Sequence, residues 1–101
     1  MKNLLNGIKR LFGVRPQLTQ EAARDLVNES MRNCTSQWFD ADKEKTRLRK
    51  HITDNYAPCN FIVVLRRYKP VGKTLVFRWI IFTRHGEPCR YEATKKIRVI
   101  A

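Results

Sequence analysis

Apolar residues recur every three to four positions through the first half of this chain and every second position through the rest. These periods mark helices packed by one face, followed by strands with one buried side. Leu4, Leu5, Ile8, Leu11 and Phe12 share one helical face, with Lys2, Lys9 and Arg10 mostly elsewhere; Gly13 and Pro16 end the run. So short a helix is marginal alone and must dock on its own domain, on a partner protein or on a membrane surface. Thr19 is the expected N-cap of a second helix, which carries Ala22, Ala23, Leu26, Val27 and Met31 on one side and reaches about Asn33. A third helix is expected from Thr35 or Ser36, with Trp38, Ala41, Leu48 and Ile52 along one side, spoiled only by Lys45. Its acids come early and its bases late, the order that the helix dipole favours. Asp54-Asn55 and Ala57-Pro58 close it with a loop.

Residues 60–69, 74–84 and 89–100 are runs of β-branched and aromatic residues separated by turn signals. Pro70-Val71-Gly72 fits a three-residue hairpin loop with Gly72 left-handed, and His85-Gly86-Glu87-Pro88 makes the second turn. A three-residue first loop pairs Lys69 with Lys73 and sets odd-numbered residues opposite odd-numbered ones. A three- or five-residue second loop keeps that parity. The odd face then carries Phe61, Val63, Leu65, Leu75, Phe77, Trp79, Ile81, Cys89, Tyr91, Ala93, Ile97 and Val99, and should pack on the helices. The even face is apolar at one end (Ile62, Val64, Ile80, Phe82) and basic elsewhere (Arg66, Arg78, Arg84, Arg90, Lys96, Arg98).

The fold class expected is α+β: two to three N-terminal helices on a three-stranded antiparallel meander. At 101 residues the chain makes one domain, with residues 1–13 an amphipathic helix, 18–56 helical and 60–101 a basic sheet. It is too short to cover both sheet faces well, so the even face is either covered at its apolar end by the first helix or left as an interface.

Charge sharpens this picture. The net charge is +12, and residues 60–101 hold 10 Lys/Arg against 2 Asp/Glu. A basic sheet implies an acidic partner, either nucleic acid or an acidic protein surface. An apolar patch rimmed by arginine has the anatomy of a protein interface, which phosphate binding alone would not need. Further contact candidates are the hairpin tip (Tyr68, Lys69, Pro70) and a basic helical stretch (Lys43, Arg47, Lys50). No run of 18 apolar residues occurs and the N-terminus is too polar for a signal-peptide core, so a cytoplasmic protein is expected. The odd count and wide spacing of Cys34, Cys59 and Cys89 suit reduced, buried or half-buried thiols.

Little catalytic chemistry is visible. Of the possible zinc ligands only His85 and Cys89 are close enough in sequence, so neither a metal nor another cofactor is expected. Gly72-Lys73-Thr74 lacks the upstream glycine of a phosphate loop. Glu92 reads as a cross-strand ion-pair partner. Direct DNA or RNA binding stays open, because aromatics and cations interleave at residues 67–69, 77–79 and 90–91. Helices with a basic antiparallel sheet also resemble, in part, ribonuclease toxins of the RelE type, although the leading strand and closing helix of those toxins are missing. That resemblance would use Arg66, Arg78, His85 and Tyr91.

The helix-rich first half, the basic sheet and the proline-tipped hairpin Tyr68-Lys69-Pro70-Val71-Gly72 are similar to the small anti-RecBCD accessory proteins of temperate lambdoid phages. The resemblance spans most of the chain and rests on no diagnostic motif. It implies a non-enzymatic protein that binds a host helicase–nuclease and alters its activity. A host prolyl isomerase acting at Pro70 would be a further partner, since uncatalysed X-Pro isomerisation is slow.

Overall fold

Among the described residues, two helices pack on one face of a three-stranded antiparallel sheet in an α+β fold. The computed structural model describes residues 15–69, 72–86 and 88–100. The expected first helix and Pro70 lie outside them. The elements are α1 (Gln20–Asn33), α2 (Ala41–Asn55), β1 (Phe61–Tyr68), β2 (Thr74–Thr83) and β3 (Arg90–Arg98).

Helix α1 follows its sequence closely. The Thr19 side chain accepts the N–H of Ala22 at 3.2 Å, and the Cys34 N–H closes the far end on the carbonyls of Ser30 and Met31. Lys95 adds a cation there, donating from Nζ to the Met31 carbonyl at 2.6 Å. Ala23, Leu26 and Val27 are buried.

Helix α2 starts later than expected. Asp40, not Thr35 or Ser36, is the N-cap, accepting the Lys43 N–H at 3.1 Å. The preceding residues form a turn held from outside: Gln37 accepts the Ile100 N–H at 2.7 Å and donates to the Ile100 carbonyl at 3.3 Å. Trp38 therefore does not line the buried side and is 73% exposed. Phe39 takes the inward place, its ring 5.5 Å from that of Phe77 and nearly perpendicular to it. Leu48 and Ile52 are buried as expected, and Glu44, rather than Lys45, shares their side.

The sheet order is β1-β2-β3. Phe61 faces Thr83 and Tyr68 faces Val76; Thr74 faces Arg98 and Phe82 faces Arg90. The first hairpin corrects one expectation: the observed register would set Lys69 against Leu75, not Lys73. A slip of two residues leaves every side chain on its own face, so the hydrophobic pattern does not distinguish the two registers. At the second turn the Thr83 N–H reaches the Cys89 carbonyl at 3.0 Å, leaving residues 84–88 as the loop and preserving parity. Gly72 (φ +106°) and Gly86 (φ +78°) supply the positive dihedrals at the two turns.

Odd-numbered strand residues face the helices. Val63, Leu65, Leu75, Phe77, Trp79 and Ile81 are buried, while α1 packs on β2 and β3 and α2 packs on β1. A polar cluster sits inside this core. Ser30 Oγ accepts the Trp79 indole N–H at 2.9 Å and donates to Glu44. Arg47 donates to both Glu44 oxygens, from Nε at 2.5 Å and from its terminal nitrogen at 3.0 Å. The Arg47 guanidinium holds the Glu44 carboxyl below its ordinary range, against the opposing push of burial, with Ser30 adding to the lowering. All three cysteines are free. Cys34 and Cys89 are buried and their thiols are pushed up by that burial, whereas Cys59 is exposed and so departs from the expectation.

Candidate docking face

Strand parity turns the even-numbered side chains away from both described helices. Across the sheet they form rows: Ile62, Phe82 and Arg90; Val64, Ile80 and Glu92; Arg66, Arg78 and Thr94; Tyr68, Val76 and Lys96; then Thr74 and Arg98. The apolar end and the basic end are adjoining parts of one surface. Ile62 is 44% exposed and Tyr68 41%, while Val64, Ile80 and Phe82 are half-buried.

A shallow depression of about 360 Å³ lies at the centre of this face. Val64, Ile80 and Phe82 line it together with Arg66, Arg78, Arg90 and Tyr68. Two of its cations are already engaged. The Arg90 guanidinium sits over the Phe82 ring, 5.5 Å from the centroid, where the ring face attracts it. Arg78 donates from Nε to Glu92 at 2.6 Å, the cross-strand pairing expected of that acid. Arg66, Arg90, Lys96 and Arg98 form no ion pair among the described residues. They ring the apolar patch on β1 and β3.

Other candidates lie elsewhere. Arg84 follows β2 into the loop and lines a second depression, with Arg49, Phe61 and Ile62. Lys43, Arg47 and Lys50 stand on α2, across the sheet from the even face. Arg47 is committed to Glu44, and Lys50 lies 3.6 Å from Asp54. Lys69 is exposed at the end of β1, and Pro70 lies outside the described residues. Arg66 and Arg78 share the even face, whereas Tyr91 turns inward against the core and His85 sits in the 84–88 loop. The four side chains that a RelE-like site would use are not gathered on one face. Among the described residues no three His, Cys, Asp or Glu side chains come together as a metal site, and no helix is long and apolar enough to cross a membrane.

The sequence reading missed the Ser30–Glu44–Trp79 cluster. A signal was present for Glu44, which lies four and eight residues before Leu48 and Ile52 and so on their side of the helix. Nothing in the sequence marks Ser30 as its partner. No protein-family model, curated protein or solved structure matches the chain.

Proposed function

We propose that this chain is a non-enzymatic binding module that docks by its even sheet face on an acidic surface of a host nucleic-acid-processing enzyme. The observation that carries this reading is the coincidence, on a face no described helix covers, of an apolar depression with arginines around its edge. Apolar contact at the centre and charge at the rim are the division of labour in protein interfaces. The resemblance to anti-RecBCD accessory proteins supplies the target class, a RecBCD-like helicase–nuclease in the host cytoplasm whose activity the protein would alter.

The test is reconstitution with purified helicase–nuclease. The wild-type chain is expected to form a stoichiometric complex and to change strand degradation. Phe82→Asp should weaken the complex by about a hundredfold by putting a charge where the apolar anchor sits. A complex unaffected by this change would overturn the assignment of the face. Direct nucleic-acid binding is the second reading, favoured by the cations Arg66, Lys96 and Arg98, which form no ion pair among the described residues. It predicts affinity that falls steeply as salt rises and is lost on charge reversal at Arg66 and Lys96.

A further inference from the structure

The two outer strands of the sheet end it in different ways. The Asn60 carbonyl accepts the Arg84 N–H at 2.8 Å, which fixes the even-numbered residues of β1 as those bonded to β2. The N–H and C=O groups of Phe61, Val63, Leu65 and Arg67 therefore point outward, away from the sheet. No described residue bonds to them. On β3 the Thr83–Cys89 and Val99–Lys73 bonds fix the opposite parity, so the outward residues are Arg90, Glu92, Thr94, Lys96 and Arg98. Four of these five are charged, a common guard against unwanted strand pairing. The β1 edge has no such guard from Phe61 to Leu65: no charge, no proline, and an unbroken register without a bulge.

A groove runs beside this open edge. Two depressions, of about 690 and 520 Å³, lie between α2 and β1, one toward each end of the strand. The α2 wall presents Lys45, Arg49 and Thr53, spaced four residues apart and so stacked along one stripe. Arg66 and Arg67 close one end on the sheet side, and Arg84 the other. None of these five cations is ion-paired among the described residues. Asp40 and Asp42 also line the larger depression, at the start of α2, and the Asp40 side chain is occupied in capping that helix.

We propose that the β1 edge is a strand-addition site for an extended acidic segment of a partner protein, which joins the sheet as a fourth strand. Backbone groups of Phe61, Val63, Leu65 and Arg67 supply affinity, and the cationic wall selects for acid. Alternate side chains of the added strand fall on opposite sides. Those opposite Phe61, Val63 and Leu65 turn toward Lys45 and Arg49 and should be acidic; those opposite Ile62 and Val64 should be apolar. A second copy of the chain fits poorly, because each copy carries +12. The site shares Arg66 with the even face but does not rest on the even-face reading.

The experiment uses the full chain and an acetylated, amidated peptide, Glu-Val-Glu-Val-Glu-Val-Glu. Amide hydrogen exchange by NMR is expected to slow at Phe61, Val63, Leu65 and Arg67, and to change little at Ile62, Val64 and Arg66, which already bond to β2. In the antiparallel addition proposed, N-methylation of the peptide's glutamates should abolish binding, because their N–H groups face β1; N-methylation of its valines should leave binding intact. The double variant Lys45→Glu, Arg49→Glu should bind the peptide at least about tenfold more weakly. An unchanged Trp79 indole resonance shows that this variant is folded. Any of four results would overturn the proposal: protection without alternation, equal loss from both N-methylated peptides, the same four amides becoming protected without peptide as protein concentration rises, or protection by an oligothymidylate but not by the peptide.

Discussion

The two faces of the sheet are built from the same three strands, yet they differ in burial and in charge. The odd face is closed: Phe77, Trp79 and Ile81 are fully buried against two helices, and even its polar atoms are partnered through Ser30 and Glu44. No described helix covers the even face: its aliphatic residues are half-buried or exposed, Arg90 rests on a ring and Arg78 on a cross-strand acid, and Arg66 and Arg98 form no ion pair among the described residues. Stability resides mostly in the first, and the proposed docking would use the second. On that proposal, the docking surface lies one strand thickness from the core.

The largest test of that separation compares two aromatics on β2. Trp79→Ala should cost roughly 3–5 kcal/mol of stability, because a cavity opens and Ser30 loses its donor. Phe82→Ala should cost about 1–2 kcal/mol, since that side chain is only partly buried and leaves no closed cavity. Denaturant titration of both variants measures the difference, and equal losses would erase the distinction between the faces.

A smaller effect probes the polar core. The Glu44 carboxyl is held below its ordinary range, so its ionised form stabilises the fold at and above that range. This contribution is lost as pH falls through the lowered value. Glu44→Gln should therefore be about 1–3 kcal/mol less stable than wild type near neutrality. The gap should close in acid, and melting temperatures of both proteins at descending pH would show it. The smallest effect belongs to the open face. Glu92→Gln should change stability by less than about 1 kcal/mol, since the Arg78–Glu92 pair is partly exposed to solvent. It should also strengthen binding of any acidic partner by releasing Arg78.

The layer structure was legible in the sequence because face assignment depends only on parity. Both turns preserve it, so Leu65, Phe77 and Trp79 were correctly placed inward despite a two-residue error at the first hairpin. The start of α2 was not legible. Thr35, Ser36 and Asp40 are all competent caps, and the choice among them depends on Gln37 reaching Ile100, a contact between residues 63 apart. The arginines of the even face were visible as charges, but their engagement was not: Arg90 over Phe82 and Arg78 on Glu92 require the register. The open edge of β1 was illegible for a similar reason, because which backbone groups point outward follows from the ladder and not from residue type.

The chain's two tryptophans occupy opposite extremes, Trp79 sealed in the core and Trp38 standing 73% exposed beside the groove along β1. Their fluorescence should separate accordingly, with a blue-shifted component sheltered from iodide and a red-shifted one open to it. Quenching of the first reports loss of the fold, and shielding of the second reports occupancy of the groove. The protein thus carries an intrinsic optical probe for each event, and neither requires a label.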